Sequence, residues 1–164
     1  MIYLSTGGFQ KLTPQSVIQK YNKIGIRSIE LSGGKYVHSQ KIIKFLKEKH
    51  NINFALHNYF PVPKKKIVIN LGSFEKKIFK KTFLNIKKSI DISSKLKSKY
   101  FGFHAGFLFD PNIKDLGKKF TDVRLQDRKK TINLFLTRVN LLAKEAKKKN
   151  VKILIENNVI TIEN

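Results

Sequence analysis

Cysteine is absent from this 164-residue chain. Disulfides, thiolate zinc sites and cysteine nucleophiles are therefore excluded, and His, Asp and Glu are left to hold any metal. No apolar run reaches the ~18 residues of a membrane span. The opening MIYLSTGGFQ has neither the basic start nor the apolar stretch of a leader, so a cytoplasmic protein with no membrane association is expected. Acidic residues are also scarce, 11 against 34 Lys and Arg, which gives a formal charge of +23. Such a surplus points to polyanionic partners such as nucleic acid. Arginine, however, occurs only at Arg27, Arg124, Arg128 and Arg138, and readers of phosphate and base edges favour its planar fork over lysine. An excess of Lys, Ile, Asn and Phe is also what an AT-rich coding sequence gives, and the two explanations stay open at this point.

What is present is 41% apolar residue, enough for one globular domain with a proper core. Ile2 to Ser5 reads as a short buried strand, followed by a loop with Gly7 and Gly8. Thr13 and Pro14 form a helix start, a side-chain cap before a proline at the first helical position. Val17, Ile18, Tyr21 and Ile24 then recur at helical spacing, and Gly25 supplies the stop. The same unit follows: a strand over Ser28 to Leu31 that carries Glu30, a loop with Gly33 and Gly34, and a helix face of Ile42, Ile43 and Leu46. In that second helix His38 is expected to be solvated at the start and His50 to ease the helix dipole near the end.

Asn53 to Leu56 is the third strand and ends on His57. A long loop follows, HNYFPVPKKKIVINLGS, stiffened by Pro61 and Pro63, walled by Tyr59 and Phe60, and carrying the solvated run Lys64, Lys65 and Lys66. Phe79, Phe83, Ile86 and Ile90 mark a third helix. The fourth strand, from Tyr100, ends on His104, and the loop after it holds Asp110, Pro111, Asp115 and Gly117. Ile132, Phe135, Leu136, Val139, Leu142, Ala143 and Ala146 give the fourth helix the cleanest pattern in the chain. A fifth strand, Lys152 to Ile155, ends on Glu156. Strict alternation of strands and amphipathic helices predicts a parallel α/β sheet with right-handed crossovers, whose site lies at the carboxyl ends of the strands.

Three successive strands therefore end on His57, His104 and Glu156. Neighbouring parallel strands lie ~5 Å apart, so these side chains can converge on one point. Two imidazoles and a carboxylate suit zinc or a related divalent ion, with a further position open to water or substrate. Glu30 is a second carboxylate in reach of the same end of the sheet. The glycine pairs can let backbone approach a phosphate or can simply form turns.

The pieces SIELSGG, ALHNYFPVP, INLGS, FGFHAGFLFDP and ILIENN resemble the xylose isomerase-like TIM barrels, a superfamily of sugar-phosphate isomerases and epimerases and of family 2 AP endonucleases. The resemblance spans essentially the whole chain. It implies one domain over 1–164, a partial (β/α)8 barrel of about four βα units plus a fifth strand, truncated at its C-terminal side relative to the ~250 residues of a full barrel. His57 and His104 match positions that hold zinc in the endonucleases, and Glu156 matches a carboxylate that bridges two metals there. In the isomerases and epimerases the same glutamate binds one divalent ion and serves as acid or base at the sugar carbon.

The resemblance thus implies Glu156 as catalytic residue, His57, His104 and Glu156 as metal ligands, and zinc or manganese as the ion, with magnesium or cobalt as substitutes. The loops HNYFPVP and HAGFLFDP would wall a sugar pocket, with Glu30, Asn58, Tyr59 and Phe107 as substrate-binding candidates. The ligands that family members carry on later strands are not in this sequence, so the resemblance implies a chain that is incomplete as an enzyme by itself. Three functions follow as expectations: the N-terminal half of a metal-dependent sugar or sugar-phosphate isomerase/epimerase, part of an abasic-DNA endonuclease that binds nucleic acid, or a non-catalytic half-barrel that pairs with a complementary half or as a homodimer.

Overall fold

The computed structural model of the chain describes residues 2–115, 120 and 123–157; Gly117 and the final Asn158 of ILIENN lie outside them. Five strands, β1 Leu4–Ser5, β2 Ser28–Leu31, β3 Asn53–His57, β4 Tyr100–His104 and β5 Lys152–Glu156, alternate with α1 Pro14–Lys23, α2 Ser39–Lys47, α3 Lys76–Lys95 and α4 Arg128–Lys148. All strand pairs are parallel, in the order β1-β2-β3-β4-β5. A sheet that adds each strand beside the last, without reversing direction of growth, is the wall of a barrel; doubly wound sheets reverse. The architecture is thus an open, partial (β/α)8 barrel.

Local chemistry sets the helix starts. Thr13 Oγ1 accepts the Ser16 N–H ahead of Pro14, and Asp127 Oδ1 accepts the Lys130 N–H at 2.7 Å to begin α4. Gly25, at φ +82°, takes the left-handed turn after α1 that a side chain would disfavour. A short 3-10 turn, Ile113–Asp115, interrupts the loop after β4.

The helices pack on one side of the sheet. Alternation along β2, β3 and β4 turns Ile29, Leu31, Phe54, Leu56, Phe101 and Phe103 toward them, where all are buried. Phe101 and Phe103 stack at 5.9 Å, and Ile18, Ile86, Ile90 and Leu142 fill the helix side of this core. The opposite face carries Glu30, Ala55, His57, Gly102, His104 and Glu156, and it points into the barrel.

Burial departs from the sequence expectation at both edges. The first strand is two residues long and not buried: Ile2 is 91% and Leu4 43% exposed. In β5 Leu154 and Ile155 are about half exposed, and in α4 so are Ile132 and Leu136 of the regular stripe, while Leu142 and Ala146 are buried. The reason is the same in each case. Strands β1 and β5 have one hydrogen-bonded neighbour each, and α4 packs on α3 and β5 with one shoulder only. Hydrophobic periodicity reports the face a chain offers, not whether a neighbour covers it. Ile24, expected on the α1 face, is exposed because it caps the helix. No helix among the described residues is long and apolar enough to cross a membrane.

Candidate metal centre

The inward face of β3, β4 and β5 brings His57, His104 and Glu156 together. One ligand atom from each lies within 4.8 Å of the others. Strand register explains how. His104 is level with Glu156 on the neighbouring strand, but His57 is level with Gly102, two residues lower. To reach Glu156 the His57 ring leans over Gly102, and a Cβ built there would lie 2.8 Å from His57 Cδ2. Glycine in the middle of β4 is therefore what lets an imidazole from β3 meet a carboxylate from β5. Substituting Gly102→Ala is expected to push the ring aside, lowering zinc affinity at least about tenfold while overpacking costs about 1–3 kcal/mol. Calorimetric titration beside circular dichroism checks it, and an unchanged affinity would show that His57 does not act along this path.

Hydrogen bonds fix the state of His57. Its Nδ1 lies 3.1 Å from the Asn58 carbonyl, which can only accept, so Nδ1 donates there and Nε2 is left to face the neighbouring strands. That carbonyl is held in turn by the Ser32 hydroxyl. Ser32 N donates to Thr6 Oγ1 at 2.9 Å, and Thr6 Oγ1 donates to Ser32 O at 2.8 Å. A buried relay from the ends of β1 and β2 thus orients the His57 ring.

The freed Nε2 of His57 is buried and has no hydrogen-bond partner among the described residues. It faces Glu156 Oε2 at 3.2 Å, and His104 Nε2 is 3.8 Å from the same oxygen. An imidazole nitrogen and a carboxylate oxygen at that separation hold either a proton or a cation between them. Burial lowers the pKa of His104, His57 lowers it further, and Glu156 partly offsets both, so His104 is held in the neutral form that a metal requires. The side chains of His57, His104 and Glu156 are 12%, 38% and 56% exposed. The centre is thus deep on the β3 side and open on the β5 side. On donor chemistry, tautomer and spacing, the residues fit a divalent ion.

The other sequence candidates are placed differently. Glu30 faces the barrel interior but is level with Ala55, one layer or about 7 Å below His57, and is not in the group of three. Asn58 is 3% exposed, and neither polar atom of its amide has a partner among the described residues. Tyr59 lines a hollow of about 580 Å3 with Gly33, Gly34 and Lys66, and Phe107 lines one of about 170 Å3 with Asn70, Thr131 and Phe135. His38 and His50 are exposed.

Two residues escaped the sequence reading. Fully buried Asn70 holds the loops after β3 and β4 together: its Oδ1 accepts from Gly72 N (3.1 Å) and Phe107 N (3.2 Å), and its Nδ2 donates to Phe109 O (2.9 Å) and Asp110 Oδ1 (2.8 Å). Arg138 of α4 donates to Leu71 O and Ser73 O, with its guanidinium 3.9 Å from the Phe79 ring. The signal for Asn70 was available. An amide inside the apolar run Ile67 to Leu71 is either misplaced or fully hydrogen-bonded.

By sequence, none of the curated proteins matches this chain. Solved structures do match its fold. D-psicose 3-epimerase from Clostridium cellulolyticum, with D-tagatose, superposes at a TM-score of 0.63 and 16% identity, over 92% of this chain and 50% of the other. A xylose isomerase-like TIM barrel protein from Mycobacterium smegmatis, in complex with magnesium, gives 0.63 at 11%, over 94% and 54%. A protein from Thermus thermophilus, soaked with ZnCl2, gives 0.62 at 14%, over 90% and 55%. The chain thus spans about half the length of these structures. The model of the family described as xylose isomerase-like TIM barrel matches residues 18–158. With that match covering most of its length, and with the sequential parallel sheet it accompanies, the chain belongs to the xylose isomerase-like TIM barrel family.

Proposed function

We propose that His57, His104 and Glu156 hold a divalent metal ion, and that the chain is the N-terminal half of a sugar or sugar-phosphate isomerase/epimerase-like barrel that is incomplete by itself. The observation that carries this is the convergence of one ligand atom each from His57, His104 and Glu156, all within 4.8 Å of one another. When bound, the ion supplies Lewis-acid stabilisation of charge on sugar oxygens.

The chain's own residues do the rest. Asn58 O keeps the His57 ring in one tautomer and one orientation. Glu156, the most exposed of the three, faces the open side, where it can take or return a proton at a sugar carbon. No second carboxylate joins the group among the described residues. A two-carboxylate proton transfer therefore waits on a second carboxylate, from a complementary half or a second copy docked against the half-exposed Leu154 and Ile155.

The test is calorimetric titration with zinc and manganese beside a ketose epimerisation assay. One ion binds per chain, with no turnover by the chain alone and turnover once a polypeptide with the later strands completes it. Absence of a saturable site, or turnover unaffected by chelator, would refute the proposal. The +23 charge favours a second reading, the endonuclease half. Metal-dependent cleavage of an abasic duplex without sugar turnover would decide for it.

A further inference from the structure

The amino ends of the strands, opposite the metal centre, carry a cleft of about 890 Å3. Its walls are Tyr3 just before β1, Asn53 and Phe54 of β3, Tyr100 of β4, and the segments that leave α2 and α3. Lys47, Lys49, His50, Lys95, Lys97 and Lys99 line it, and no carboxylate does. Three lysines outside the cleft are held in ion pairs, Lys87 and Lys148 with Glu145 and Lys149 with Asp91. The cleft lysines form no ion pair among the described residues, while Lys49 is seated over the Phe45 ring at 4.9 Å.

One of these lysines stands where the backbone favours another residue. Lys97 follows the last turn of α3 at φ +54°, in the left-handed region. Glycine is the usual occupant of that position, because a side chain there costs stability. A glycine would remove only the lysine side chain. Backbone strain of this kind collects where a side chain has a use.

We infer that this cleft binds single-stranded nucleic acid, with phosphates on Lys47, Lys49, Lys95, Lys97 and Lys99 and bases stacked on Tyr3 and Tyr100. Lysine without arginine supplies point charges for phosphates and no forked reader of base edges, so binding is independent of sequence. Aromatic rings beside the cations offer faces that only unpaired bases can use. Tyr100 is 37% exposed, which leaves part of its ring open to a base. The site is at the far end of the sheet from His57, so it stands or falls separately from the metal centre.

Fluorescence anisotropy with a labelled uridine RNA of about 12 nucleotides tests the inference. Five phosphate contacts give a slope of log affinity against log salt of about −3.5, and combining Lys95→Ala, Lys97→Gly and Lys99→Ala reduces it to about −1.4. Affinity at about 50 mM salt falls at least about tenfold in that variant. Tyr100→Leu weakens binding about tenfold through lost stacking. Replacing Lys64, Lys65 and Lys66 by Ala, at the carboxyl end, changes neither slope nor affinity. Lys97→Gly alone raises Tm by about 2–4 °C while weakening RNA binding, a divergence that separates lost contact from lost fold. Equal losses in the Lys64 to Lys66 variant would overturn the cleft as the site. Inorganic polyphosphate or phosphatidylserine vesicles binding as tightly as RNA, with Tyr100→Leu silent, would overturn nucleic acid as the ligand.

Discussion

Glu156→Gln lowers the affinity for zinc or manganese at least about 100-fold, roughly 2.7 kcal/mol, whereas Glu30→Gln changes it less than about twofold. The contrast follows from strand register. Glu156 is level with His104 and is approached by His57 across Gly102, so its carboxylate supplies the only negative charge in the group of three. Glutamine keeps the shape but gives a neutral, weaker oxygen donor. Glu30 shares the inward face but lies a layer lower, beside Ala55. Folding stability barely changes in either variant, within about 0.5 kcal/mol for Glu156→Gln, because that side chain is 56% exposed on an edge strand. Isothermal titration of both variants with both ions checks the ordering; equal effects would mean that the three residues do not form one centre.

Asn70→Ala is expected to be among the most destabilising single changes in the chain. Its amide makes four hydrogen bonds from a fully buried position, and truncation leaves Gly72 N, Phe107 N, Phe109 O and Asp110 Oδ1 each short of a partner. Unmade buried bonds cost about 1–3 kcal/mol each, but part of this loop is within reach of water, so a total of about 3 kcal/mol is expected. That corresponds to a Tm lower by about 6–12 °C. Asn70→Asp does not rescue it, because a carboxylate would face Asp110 where the amide donated. The same change loosens Gly106 and Phe107 directly after His104, so metal affinity falls about tenfold as well. Thermal melts with and without zinc separate the two effects. A Tm within about 2 °C of the parent would remove Asn70 as the tie between the loops, an amount that corresponds to about 0.5–1 kcal/mol.

Much of the architecture is legible in the sequence because it is written in short-range terms. Thr13 and Pro14 begin a helix by their own chemistry, and Ile86 and Ile90 mark a buried face by spacing. His57, His104 and Glu156 each end an apolar strand, which is enough to put them on one edge of a parallel sheet. What escapes depends on residues distant in sequence. Gly102 looks like a weak point in a strand until the register sets it beneath the His57 ring. The stripe of Ile132 and Leu136 looks like core until α4 proves to have packing on one shoulder only. Lys97 resembles every other lysine, and only the backbone angle marks it out. The tautomer of His57 depends on a carbonyl one residue away, held by Ser32 from another strand, and no motif encodes it.

X-ray absorption at the zinc edge of the zinc-loaded chain tests the metal centre most directly. One ion per chain, with two imidazoles and oxygen in its coordination shell, and loss of one imidazole in either His57→Gln or His104→Gln, is the predicted result. A shell without imidazole, or a spectrum unchanged in both variants, would contradict a centre built from the ends of β3, β4 and β5.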